Sequence, residues 1–132
     1  MIAAIEVEYR RYKTLGEGTI GQLGDEDLMV QPTPESLSIA MTVWHVSGNL
    51  ESRFADFLTT DGEKPWRNRD SEFEERRVSR NELLAKWERG WGILLAALAP
   101  LSDADLQRTV SVRGVATSVG EALERSLAHT SY

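Results

Sequence analysis

An all-α four-helix bundle is the fold this sequence predicts, and three observations carry that reading. Apolar residues recur at intervals of three and four along four separate stretches. Serine followed three residues later by glutamate marks two helix starts, at Ser79 with Glu82 and Ser118 with Glu121. Glycine and proline punctuate the gaps between the stretches. A length of 132 residues, 41% hydrophobic and 27% charged, suits one domain over residues 1–132 and would starve a second core.

In the first stretch Ile2, Ile5, Tyr9, Tyr12, Gly16, Thr19 and Leu23 share one face, predicting a helix over roughly Ile2 to Leu23 that Gly24 stops. Gly16, Gly18 and Gly21 each weaken that helix by up to ~1 kcal/mol relative to alanine, which points to close packing or a bend. Pro32 and Pro34 force an extended approach, so the second helix is expected to start near Glu35 or Ser36. Its buried stripe reads Ile39, Val43, Val46, Leu50, Phe54, Phe57 and carries the helix to about Thr60, where Asp61 and Gly62 turn the chain. An adjacent stripe reads Ser38, Met41, His45, Gly48, Asn49, Ser52, Asp56.

From Asp61 to Val78 alternating charges surround Pro65 and Trp66 without an apolar period, predicting a long ordered loop between the second and third helices. Phe73, alone among charges, is its expected anchor, and Arg67, Arg69, Asp70 and Glu72 give the segment the look of a lid. Adjacent Glu74 and Glu75 point different ways on any regular backbone and make no acid/base couple, which argues against a glycosidase. Ser79 caps the third helix, whose Leu84, Trp87, Trp91, Leu94 and Leu98 form a core stripe before Pro100 closes it. The tryptophans are read as core, not as a cofactor platform. Ser102 to Asp105 predicts one helical turn, Arg108 to Val112 a short extended excursion, and Arg113 with Gly114 a turn. The fourth helix opens after Ser118 on Val119, Leu123, Leu127 and Thr130, and with no stop signal before Tyr132 it reads as a truncated element.

Composition removes several function classes. A formal charge of -6, with arginines scattered among carboxylates, disfavours nucleic acid. The absence of cysteine excludes disulfides, iron-sulfur clusters, thiolate zinc sites and a thiol nucleophile, and it fits a reducing, cytoplasmic location. Met1 to Tyr12 carries Glu6 and Glu8 and lacks the pattern of a secretory signal, and no run is long enough to span a membrane.

The chain has two histidines, His45 and His129, each beside the apolar stripe of a predicted helix. A transition-metal site here must use imidazole and carboxylate, which makes these two the candidate ligands. Ala122 and Ser126 share a helix face with His129, and such small residues leave room for a cavity between helices. Spacing alone leaves open a purely structural role, with each imidazole hydrogen-bonded to backbone or carboxylate. One or two turns from His45, Asn49 and Ser52 are candidate donors behind the ligands, and Arg53 is a candidate for holding an anionic substrate group or for pairing with a loop carboxylate.

Ser38-Ile39-Ala40, Trp44-His45-Val46-Ser47-Gly48-Asn49-Leu50, Arg53-Phe54, the run from Arg67 to Phe73 and Leu127-Ala128-His129-Thr130-Ser131-Tyr132 together resemble the DinB-like family, over nearly the whole chain. That family is related to the bacterial transferases that use bacillithiol or mycothiol. The resemblance implies a four-helix bundle in which three histidines bind a divalent metal, zinc or nickel foremost. One of these matches His45; the other two form a pair four residues apart on the last helix, the first matching His129 and the second falling immediately after Tyr132. It further implies a small-molecule substrate, a low-molecular-weight thiol as co-substrate, S-transfer or metal-assisted hydrolysis as the reaction, and a homodimer. The alternative is a non-catalytic bundle that dimerises or binds a partner, its histidines vestigial.

Overall fold

A computed structural model describes residues 1–24, 26–31, 37–74 and 78–130. Its helices are α1 (Ile2–Gln22), α2 (Ile39–Phe54), α3 (Arg80–Leu98) and α4 (Val119–Thr130). Between α3 and α4 an antiparallel hairpin joins β1 (Thr109–Val112) to β2 (Val115–Ser118), with Thr109 opposite Ser118 and Val112 opposite Val115. The expected helical bundle is present, with the extended excursion completed into this hairpin. Single 3-10 turns occupy Asp27–Met29, Asp70–Phe73 and Asp103–Gln107.

Tyr9, Leu28, Leu50, Leu83, Trp91, Leu94 and Leu123 are fully enclosed, so elements across the whole chain meet in one core. Trp91 packs edge-on against Tyr9, with ring centroids 6.3 Å apart, and Trp87 lies 5.5 Å from it. Truncating a sealed tryptophan to alanine costs about 3–5 kcal/mol, a large share of the stability of a small domain. The core reading of the tryptophans therefore holds. Tyr9 also donates its hydroxyl to the Leu123 carbonyl at 2.8 Å, tying α1 to α4 with a buried bond.

Helix ends are satisfied partly by distant residues. The Ile2 amide donates to Asp103 at 2.9 Å, and Arg80 donates to the carbonyls of Ile20 and Leu23, so α1 is capped at both ends from elsewhere in the fold. Ser38 and Ser79 accept from the amides of Met41 and Glu82, the N-cap bonds that start α2 and α3. Gly16 lies against the Trp87 ring, where an added Cβ would come within 2.6 Å; Gly18 and Gly21 face open space, and α1 runs through all three.

The boundaries of α2 differ from the sequence reading. Leu37 and Ser38 are non-helical, and α2 begins at Ile39 and not near Glu35 or Ser36, which lie outside the described residues. The helix also stops at Phe54 and not near Thr60. Ala55 turns extended, and Asp56 takes a φ of 48°, a left-handed conformation that aspartate tolerates better than most residues. Phe57 still reaches the core, at 8% exposure, from beyond the helix. Apolar spacing continued where helical geometry did not.

Two carboxylates order the described part of the connection after α2, residues 55–74. Asp61 accepts from the amides of Glu63, Arg113 and Gly114 and from the Ser111 hydroxyl, at 2.7–2.8 Å. Arg113 and Gly114 have φ of 54° and 76°, the double left-handed turn of a tight hairpin, in which arginine is an unfavourable first residue. Asp61 offsets that strain by binding both turn amides. Glu72 is the second carboxylate and belongs to the site described next. Ser131 and Tyr132, on which the expected end of the last helix falls, lie outside the described residues. No helix among the described residues is long and apolar enough to cross a membrane.

Candidate metal centre

His45 projects from the middle of α2, a helix so enclosed that every residue from Ser47 to Ser52 is buried. Its ring is 15% exposed. Nδ1 lies 3.0 Å from Glu72 Oε1. A carboxylate accepts, so Nδ1 carries the proton and the Nε2 lone pair is turned outward. At that face stands Nε2 of His129, 3.2 Å away, from the last turn of α4. The rings meet at 67° with centroids 5.1 Å apart.

Glu72 is fixed from three sides. Arg67 donates from Nε to Oε2 and from Nη2 to Oε1, both at 2.9 Å, the forked pairing that guanidinium and carboxylate geometry favours. Burial alone would push the Glu72 carboxyl up, but the hydrogen bonds from His45 and Arg67 and their charges outweigh it and hold the group below the usual glutamate range. The carboxylate lies directly on α2 because residue 48 is glycine: a Cβ there would come within 2.0 Å of Glu72 Oε2. Phe73 then covers the His45 ring at a centroid distance of 4.8 Å, the docking expected of a lone aromatic in a charged segment.

His129 is solvent-exposed along part of its ring. Lost hydration on its inner side lowers its pKa, and the charges of Arg67, Arg69 and Arg53, joined by that of His45 whenever it is protonated, lower it further. Both effects favour neutral imidazole, the form that binds metal. Two imidazole nitrogens sharing one ion at ~2.0–2.1 Å each, across angles between octahedral and tetrahedral, stand about 2.9–3.4 Å apart, so a 3.2 Å separation fits. It equally fits a direct hydrogen bond between the rings. Among the described residues no third histidine, aspartate or glutamate joins the pair to make a three-residue cluster. The nitrogen donors that the described residues bring together here are these two imidazoles.

The other sequence candidates divide. Asn49 and Arg53 line the same cavity as His129. Ser52 is directed elsewhere: its hydroxyl donates to the Gly62 carbonyl at 2.7 Å and accepts from the Lys64 amide at 3.1 Å, so it fastens the connection and does not back the histidines. The expected pairing of Arg53 with a loop carboxylate is also not found. Among the described residues no acidic group bridges to it, and its Nη1 is sealed without a hydrogen-bond partner. Glu72 and Arg67, central to the geometry, were legible only as charges in a loop. The signals pointing to them were Gly48 one turn from His45 and Phe73 beside Glu72.

A family model described as "Protein of unknown function (DUF1572)" matches residues 1–132. No curated protein and no solved structure matches the chain.

Proposed function

The chain belongs to the DUF1572 family over its whole length, and from the geometry of its histidine pair we propose that it is a divalent-metal-dependent enzyme of the DinB-like type acting on a small molecule. The observation that carries this reading is the 3.2 Å approach of His45 Nε2 to His129 Nε2, from helices separated by most of the chain. These two nitrogens would hold the ion, with zinc or nickel suited to an imidazole donor set. The ion would supply Lewis-acid activation of a thiol or a water, which makes S-transfer with a low-molecular-weight thiol and hydrolysis the reaction classes of the proposal.

The protein's own contribution is orientation. Glu72 accepts the Nδ1 proton of His45 and so fixes which nitrogen faces the site; Arg67 keeps Glu72 ionised and in place; Phe73 shields one face of the ring. The lowered pKa of His129 keeps its lone pair available near neutral pH.

Metal analysis of the purified chain after dialysis against zinc or nickel tests the reading. The expected result is stoichiometric metal in the native protein and its loss in His45→Ala and His129→Ala. Metal-free native protein would end the proposal and leave the two rings as a hydrogen-bonded structural contact. It would favour the competing reading, a non-catalytic bundle that pairs with a second copy, which draws support from Val7 and Leu15, exposed on α1. With a loaded sample, bacillithiol or mycothiol and an electrophilic acceptor test S-transfer; an inactive loaded sample would remove that class and leave hydrolysis.

A further inference from the structure

Beside the histidine pair lies a cavity of about 380 Å³, walled by α2, α4 and the hairpin. Arg53, Arg113, Arg125 and His129 contribute polar atoms, and Phe54 and Val110 contribute apolar wall. Among the described residues no aspartate or glutamate lines the cavity, although the chain as a whole carries a formal charge of -6. Positive charge has been concentrated where the protein is hollow.

Arg53 is the unusual member. It runs beneath Gly62, where an added Cβ would lie 3.4 Å from Nη1, and that nitrogen is sealed without a partner among the described residues. Because Nη1 has no accessible surface, a molecule in the cavity meets only the other atoms of Arg53, and the unpaired nitrogen marks uncompensated positive charge in the cavity wall. The nearby carboxylates do not supply a partner. Asp61 is filled by backbone amides and Ser111, Glu63 pairs with Arg113 at 3.4 Å, and Glu72 is held by Arg67 and His45. Neighbouring Arg113 and Arg67, after burial itself, lower the proton affinity of Arg53, a sign of uncompensated positive field.

We propose that this cavity is the binding pocket for a small organic acid, its carboxylate received by Arg53 with Arg113 and Arg125 at the rim and its reacting end directed toward His129. Only the last clause rests on the metal reading. The volume is at the small end of ligand pockets. Guanidinium forks and apolar walls suit a planar carboxylate. A phosphate cradle commonly uses clustered backbone amides, and the turn amides that the hairpin brings here, those of Arg113 and Gly114, already donate to Asp61.

Calorimetric titration of zinc-loaded and chelator-treated protein with benzoate and hexanoate, against benzyl alcohol, hexanol and inorganic phosphate, tests the assignment. Both carboxylates are expected to bind saturably and about tenfold or more tighter than the matched alcohols, because only they supply the charge-assisted bond. Arg53→Gln should remove that advantage with zinc stoichiometry unchanged and the helical circular-dichroism signal intact. If Arg53→Gln does not fold, Arg53→Lys and Arg125→Gln carry the test, each expected to weaken benzoate about threefold or more. The proposal is overturned if carboxylates bind no better than alcohols, if phosphate binds tighter than both carboxylates, or if folded Arg53 and Arg125 variants bind benzoate as the native protein does. Zinc uptake without carboxylate binding would sink the acid pocket and spare the metal centre. Carboxylate binding by protein that takes up no zinc would establish the pocket and overturn the placement of the reacting end together with the metal reading.

Discussion

Asp61 and Glu72 lie in the same connection between α2 and α3, and both carboxyls sit below their ordinary pKa range, yet their partners differ in kind. Asp61 is held by backbone amides of Glu63, Gly114 and Arg113 and by the Ser111 hydroxyl. Those groups are neutral and do not titrate, and three of them belong to the hairpin, so the carboxylate works as a peg that fixes the hairpin over the cavity. Glu72 is held by an imidazole and a guanidinium, one of which presents its other nitrogen to a second histidine. The same chemical group pins a turn in one place and orients one imidazole of the histidine pair in the other. What separates them is whether the partner has a further atom facing the site.

Substitutions that separate stability from metal affinity would break or sharpen this contrast. The largest effect is expected from Glu72→Gln, which removes the ionised acceptor behind His45 and should weaken zinc binding about 10–100-fold, as loss of an orienting carboxylate typically does. Competition with a chromophoric chelator measures it; native affinity in this variant would reduce Glu72 to a second peg. Gly48→Ala comes next. Its Cβ would collide with Glu72 Oε2, so metal affinity should fall by about tenfold if the carboxylate orients the ring. Helix propensity favours the alanine by up to ~1 kcal/mol and offsets only part of the cost of displacing the buried carboxylate, so Tm should fall together with affinity, and a loss of Tm with unaltered affinity would contradict the assignment.

Asp61→Asn should act the other way, lowering Tm by several degrees while zinc affinity stays within about twofold, since no ligand depends on Asp61. The smallest effect is in its acid response. The folded-state pKa of Asp61 is depressed, so its contribution is fully present above the unfolded value near ~4 and is lost as pH falls through the lower folded value. Urea midpoints measured from neutral to strongly acidic pH should therefore fall less steeply in Asp61→Asn than in the native chain. Equal slopes would show that the carboxylate charge is not what holds the turn.

Much of the scaffold is legible in short stretches of the sequence, and the places where the fold departs from it have physical causes. The caps at Ser79 and Ser118 and the turn at Arg113 and Gly114 are local signals, each contained within a few residues, and the folded chain obeys them. The stripes of α1 and α3 hold at Ile5, Tyr9, Trp87, Trp91, Leu94 and Leu98 but slip by one residue elsewhere, burying Ile20 and Leu83 where the sequence reading puts Thr19 and Leu84. The end of α2 was misread because Phe57 keeps the helical spacing while Asp56 leaves helical dihedrals; burial of a side chain does not report the backbone path that delivers it. Ser52 was placed correctly on a face beside His45 and given the wrong partner, because the connection folds back over that face and takes the hydroxyl.

The sequence by itself determined the helical class, the two residues able to act as imidazole ligands and the face of each helix that carries them, since periodicity and residue chemistry are properties of short windows. Only the tertiary structure decided that those faces meet. His45 reaches Glu72 across 27 residues and His129 across 84, and the sealed nitrogen of Arg53 exists only once the connection and hairpin have closed over it. Contacts at such separations depend on how the elements pack, and packing is a property of the whole chain.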